Sequence, residues 1–224
     1  MIHRMFVGRF SLSATVLVML AIFAGSGRVF AAPPSTAEVD EGKRLFNQNC
    51  VFCHQPDAIG KVGFAPSLSN KELLSISSDK FLLGTIRDGR QGTGMPPFGH
   101  LGKPGIVAIV AYLRSLSDVP NRSAQVDAMP AAKGNAGSGK VLFDQICSTC
   151  HGVKGDGYMA GGTGTAIGNK SFLNRVSDGF LRVTIKEGRS NTRMLSFSGP
   201  EGIANLSDQE IDDVIVYLRQ QAKQ

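Results

Sequence analysis

All four cysteines of the 224-residue chain lie in two five-residue stretches, Cys50-Val51-Phe52-Cys53-His54 and Cys147-Ser148-Thr149-Cys150-His151. Two cysteines separated by two residues and followed at once by histidine form the attachment pattern for haem c. The spacing has a chemical reason. Each thiol adds to one vinyl group of the porphyrin, giving two thioethers, and the adjoining histidine is carried beneath the ring, where its imidazole can bind iron. A single copy has rival readings, a redox dithiol or half of a zinc site. Two copies that use every cysteine argue against both. No strand–helix–strand pattern surrounds either motif, and zinc would leave the other repeated features unexplained. The expectation is two covalent haem c groups, one on Cys50, Cys53 and His54, the other on Cys147, Cys150 and His151.

The repeat extends past the motifs. Residues 70–95 and 169–194 align at a constant offset with about half of their positions identical, including Asp79/Asp178, Phe81/Phe180, Gly89/Gly188, Arg90/Arg189 and Thr93/Thr192. Two units make a duplication of one domain, not a solenoid. Both copies end on a methionine, Met95 and Met194, in a loop containing Gly or Ser. A thioether is a soft iron ligand, and opposite histidine it raises the reduction potential. Methionine more often fills gaps in a core. Its recurrence at one aligned position in polar loops points instead to axial ligation, so the expected iron ligands are His54 and Met95, and His151 and Met194. Met159 lies too close to His151 to reach over the ring, and Met129 lies in the linker. His100 is a second candidate for the first iron, but it has no counterpart in the other half and reads as an exposed loop histidine.

Apolar spacing predicts helices over 37–48, 78–87 and 104–116 in the first half, and over 139–146, 177–187 and 206–221 in the second. Ser35 or Thr36 is placed to cap the first, and Ser207 with Glu210 forms a capping box for the last. Gly89 and Gly188 mark helix ends. Residues 117–139, with Pro120 and Pro130 and few large apolar groups, read as connecting chain. The domain division is then 32–118 and 136–224 joined by a linker at 119–135. That length permits a docked pair or two independent domains.

The order of helix, attachment motif, loop, helix, methionine loop and closing helix resembles the class I cytochromes c. Ala111-Tyr112-Leu113-Arg114 and Val216-Tyr217-Leu218-Arg219 in the closing helices carry the same likeness. It covers each half of the chain beyond the leader. It implies an all-α fold of two tandem domains, each a small helical bundle around one haem, and an electron-transfer function. In that family a proline carbonyl after the motif orients the histidine. Pro66 matches, whereas the second half has Thr165 at that place.

Residues 1–31 stand apart. Arg4 and Arg9 precede an apolar run over 10–24, and Val29-Phe30-Ala31 suits cleavage after Ala31. This reads as an export signal, because the run is shorter than the ~20 residues that span a bilayer. The expected location is the periplasm. The alternative is an uncleaved anchor holding the protein to the periplasmic face of the inner membrane. The formal charge of +6 changes with cleavage. Losing three arginines leaves 21 basic against 18 acidic side chains, and two haems bring the total close to neutral. No basic stripe for nucleic acid is visible.

The partners expected are a protein electron donor and a protein acceptor, such as a dehydrogenase, an oxidase or a small redox protein of a respiratory chain. The alternative is a di-haem enzyme such as a peroxidase, which needs one iron open to substrate. Arg90 and Arg189 have two readings, partners of the haem carboxylates or solvated arginines at helix C-termini. Arg193 beside Met194, against Gly94 beside Met95, leads to the expectation that the second haem has the higher potential.

Overall fold

The computed structural model describes Met1 and residues 34–223; apart from Met1, the expected export signal of 1–31 lies outside the described residues. The first half runs α1 (Thr36–Asn49), α2 (Val51–His54), α3 (Lys71–Ile76), α4 (Asp79–Asp88) and α5 (Gly102–Ser115). After a connecting helix α6 (Ser123–Asp127), the second half runs α7 (Ala136–Leu142), α8 (Ser148–His151), α9 (Lys170–Leu173), α10 (Asp178–Glu187) and α11 (Asp208–Gln221). Among the described residues the only extended pairing is one isolated bridge, Lys61 to Ala65. The fold is all-α.

Each half is built on a crossing of its first and last long helices. Ser35 caps α1 by accepting the Glu38 N–H at 3.2 Å. Leu45 and Phe46 on α1 are buried, and the Phe46 ring sits 5.4 Å from that of Tyr112 on α5. The helices approach at Gly42, where a Cβ would fall 1.9 Å from the Ala108 carbonyl oxygen. The second half repeats this arrangement. α7 widens into a π turn at Phe143–Cys147 and crosses α11, with Phe143 and Tyr217 5.3 Å apart. A Cβ on Gly139 would fall 1.9 Å from the Asp213 carbonyl oxygen. Ser207 and Glu210 form the expected capping box.

The short helices α3 and α9 lie in stretches where the sequence shows no helical period, since fewer than two turns are too short to display it. Their ends are closed by the arginines of the two closing helices. Arg114 donates to the Leu74 carbonyl at 2.5 Å, the Ser77 carbonyl at 2.6 Å and Asp79 at 2.7 Å. Arg219 repeats the pattern with the Leu173 carbonyl, the Val176 carbonyl at 2.7 Å and Asp178 at 2.6 Å. One planar fork therefore satisfies the last carbonyls of one helix and the first acidic residue of the next.

The connecting segment differs from the loose linker that its composition suggests. Val126 on α6 is 1% exposed, inside the second core. Arg122 donates its backbone N–H to the Ser75 carbonyl at 2.7 Å and pairs with Glu187. Three further backbone N–H groups meet carboxylates: Ala132 to Asp178 at 2.8 Å, Lys133 to Asp212 at 3.2 Å and Asn135 to Asp213 at 2.7 Å. Composition could not show this, because one valine and the backbone make the attachment.

The halves are docked. The Phe81 ring of the first half lies 6.3 Å from Phe172 and 5.4 Å from Phe180 of the second. Arg175 donates to Asp88 at 2.7 Å. Asn70 donates to the Ser190 carbonyl at 2.9 Å, and Asn169 to the Gln91 carbonyl.

Candidate haem sites

α1 delivers the chain to Cys50, and the motif turns through α2 so that His54 is buried. The His54 Nδ1 lies 3.0 Å from the Pro66 carbonyl oxygen, and the His151 Nδ1 lies 2.7 Å from that of Thr165. Thr165 thus takes the place of Pro66 without loss, since the acceptor is a backbone oxygen and not a side chain. With its proton on Nδ1, each ring has the lone pair of Nε2 directed away from that bond. Burial pulls both imidazoles below their ordinary pKa, against the opposing effect of the carbonyl bond. That favours the neutral, ligating form.

All four cysteines are half-buried and none is in a disulfide. Burial, with the neighbouring motif cysteine adding to it, pushes the Cys50 and Cys147 thiols up to about 11. They sit in apolar surroundings, as alkylated sulfurs require.

The methionine loops are the same loop built twice. In the first, the Arg90 N–H donates to the Met95 carbonyl at 3.0 Å, the Thr93 hydroxyl donates to the Arg90 carbonyl at 2.7 Å and the Met95 N–H donates to that hydroxyl at 3.2 Å. In the second, Arg189 N–H to Met194 carbonyl is 2.5 Å, Thr192 hydroxyl to Arg189 carbonyl is 2.8 Å and Met194 N–H to the hydroxyl is 3.0 Å. Gly89 and Gly188 enter these loops at φ 64° and 67°, and a Cβ on either would strike the methionine loop backbone. The threonines brace these loops, a part that the sequence left unassigned. Their signal was present as the identity Thr93/Thr192 at a fixed distance from the methionine.

Other candidates fall outside this arrangement. His100 is exposed, beside the Phe98 ring, and Met159 is exposed on the second attachment loop. Arg193 is exposed as well, so water screens its charge and the expectation of a higher second potential loses its main support. The solvated reading of Arg90 and Arg189 does not hold. The Nε of Arg90 and the Nη1 of Arg189 are buried with no hydrogen-bond partner.

These features define the group that fits. Each half offers two thiols, an imidazole with a free nitrogen, a thioether on a braced loop and a buried guanidinium N–H that lacks an acceptor. Among the described residues no group of three His, Cys, Asp or Glu side chains is placed to hold a bare metal ion. A porphyrin carrying vinyls, iron and carboxylates has a partner for each of these groups.

Two family profiles divide the chain. Residues 37–113 match the profile described as cytochrome c oxidase, cbb3-type, subunit III, and residues 136–222 match the cytochrome c profile. The chain is a tandem di-haem cytochrome c. Each of its two domains binds one covalent haem c.

The tandem cytochrome is 30% identical over 79% of its length to a cbb3-type cytochrome c oxidase subunit CcoP of Rubrivivax gelatinosus, covering 52% of that protein. It is 30% identical over 67% of its length to subunit FixP of Bradyrhizobium diazoefficiens, covering 51%. The chain therefore spans about half the length of the curated relatives it matches. Among solved structures it is similar to a chain of the reducing HAO-like protein complex of Kuenenia stuttgartiensis, with 21% identity, a TM-score of 0.49 and coverage of 81% of this chain and 96% of the other.

Proposed function

We propose that this protein is an exported cytochrome that passes single electrons between a protein donor and a protein acceptor, as a free carrier or as the electron-transfer subunit of a dehydrogenase or oxidase system. The observation that carries the reading is the duplication of one complete ligand arrangement. Both halves set a histidine on a backbone carbonyl and a methionine on a threonine-braced loop. In this reading Cys50, Cys53, Cys147 and Cys150 form the thioethers, and His54, Met95, His151 and Met194 bind iron. The haem iron supplies the one-electron couple. The chain's residues hold the imidazoles neutral and oriented and brace the methionine loops.

Likeness to subunits of cbb3-type oxidases supports a partner of respiratory type. With His and Met on each iron no position is open for substrate, so carrier function is favoured over a peroxidase. Residues 1–31 act as a cleaved signal that places the mature chain in the periplasm. Among the described residues no helix is long and apolar enough to cross a membrane.

The test is spectroscopic. Ferric protein should show the weak far-red sulfur-to-iron band at two-centre intensity, and Met95→Ala and Met194→Ala should each remove about half of it. Turnover of peroxide well above a simple cytochrome c control would overturn the carrier reading. Mass spectrometry should find two haems on a chain that begins near Ala32. Full-length protein in the membrane fraction would favour the anchored form.

A further inference from the structure

We propose that Arg90, a residue of the first domain, is a positioning and charge-supplying element of the second domain's haem site. The inference rests on the haem-site reading above.

Arg90 follows the glycine that ends α4, and its backbone opens the Met95 loop. Its side chain leaves the first domain. The Nη2 donates to the Ala166 carbonyl, and the guanidinium lies 4.8 Å over the Phe172 ring. Ala166 and Phe172 both belong to the second domain. Ala166 directly follows Thr165, whose carbonyl orients His151. A cation from one domain is thus hydrogen-bonded one residue from the histidine support of the other.

The aligned residue behaves differently. The hydrogen bond and ring contact of Arg189 stay in its own domain, with its Nη2 donating to Thr184 at 3.2 Å and its guanidinium 5.8 Å over Phe180, although the carboxylate of Glu72 in the first domain favours its charged form. The repeat is symmetric in sequence, but the reach of Arg90 is not. The asymmetry gives the second site a cation that the first lacks from its partner.

The charge of Arg90 also lacks an answer within the protein. Among the described residues, none of the ion pairs includes Arg90. Its Nε is buried with no acceptor, and burial pulls its pKa down to about 10. A buried guanidinium without an anion is unfavourable, and an anion supplied at that place removes the cost. A carboxylate of the second haem has the planar, bidentate chemistry that suits the free edge of the fork. The two effects of the cation act in the same direction on iron. The cation disfavours the extra positive charge of the ferric state, and it also masks the negative carboxylate that would favour that state.

The experiment uses the full holoprotein. Both centres are titrated by optical spectroelectrochemistry and assigned with Met95→His and Met194→His, each of which should alter one centre. In Arg90→Gln the Met194 centre should fall in potential more than the Met95 centre, although Arg90 belongs to the Met95 loop. Arg90→Lys should restore part of the fall. A larger shift in the Met95 centre, or no shift in either, would overturn the proposal. If Arg90→Gln fails to take up two haems, Arg90→Lys decides alone: a smaller fall confined to the Met194 centre supports the assignment, and equal or absent shifts refute it. Should Met194→His leave both centres unchanged, the ligand reading fails instead, an outcome distinct from failure of the Arg90 proposal.

Discussion

Asn70 and Asn169 make the same contact in opposite directions. Each caps its own short helix with its side-chain oxygen, accepting from Leu73 at 2.9 Å and from Ser171 at 2.8 Å. Each then donates its amide to the first turn of the other domain's methionine loop, at Ser190 and at Gln91. These are aligned positions, so the interface has the reciprocal form of a two-fold contact within one chain.

Replacing both asparagines by aspartate separates the two duties. Aspartate is an equally good cap, but it turns a donor toward a carbonyl into an acceptor. Each lost hydrogen bond should weaken docking by about 0.5–1.5 kcal/mol. The Asn70→Asp/Asn169→Asp variant should retain both haems and show a larger radius by solution scattering. An unchanged scattering profile together with an unchanged thermal transition would remove the amides from the interface account.

Thr93→Val and Thr192→Val should loosen the methionine loops. Each hydroxyl serves at once as donor and acceptor within its loop, and each bond contributes roughly 1 kcal/mol. The far-red band of the altered centre should disappear at lower denaturant than that of its neighbour, and serine at the same position should restore it. Equal loss in threonine, serine and valine proteins would show that the hydroxyl is idle.

Gly164 packs on the second histidine. A Cβ there would lie 2.7 Å from both the Cε1 and the Nδ1 of His151. Gly164→Ala should therefore disturb the second centre and spare the first, seen as a lowered far-red intensity of one centre.

Arg219→Ala should destabilise the second domain by roughly 1.5–3 kcal/mol, the range for hydrogen bonds to charged groups. It strands two carbonyls and one oxygen of Asp178 together. Lysine should rescue little, since a point charge cannot serve three acceptors in a fork. Thermal unfolding followed at each haem would measure this, and full rescue by lysine would contradict it.

Acid should reach the Asp88 contact late. Hydrogen bonds from Arg87 and then Arg175 hold its carboxyl well below the usual carboxylate range. A depressed carboxylate contributes stability above its unfolded pKa and loses it as pH falls through the folded value. The contribution should therefore persist through pH 4 and fade only in stronger acid. Asp88→Asn should remove the acid-sensitive part of domain docking seen by scattering below that range; an unaltered acid response would assign it to other groups.

Much of this was legible in the letters. The attachment motifs and long amphipathic helices are periodic or spaced signals, and the duplication exposed the paired methionines. The carbonyl that orients each histidine was legible as well, at Pro66 from the family pattern and at Thr165 because any residue carries the same backbone oxygen. α3 and α9 were not legible, because fewer than two turns have no period to read. The packed linker escaped notice because its anchors are N–H groups of Ala132, Lys133 and Asn135, which every sequence possesses. The crossing of Arg90 could not be seen either. An arginine that serves its neighbour and one that serves its own domain have the same letter at the same aligned place.

The anchoring of residues 122–135 decides how electrons would move between the two irons. A loose tether would let the domains swing, and transfer would wait on their encounters in solvent. Here Val126 is seated in one core, and Arg122 ties the segment to both halves. Swinging of the two halves would first have to break these contacts. The inter-iron rate after a light-triggered injection should be nearly independent of added glycerol or sucrose, and set by a tunnelling distance that the backbone has already fixed.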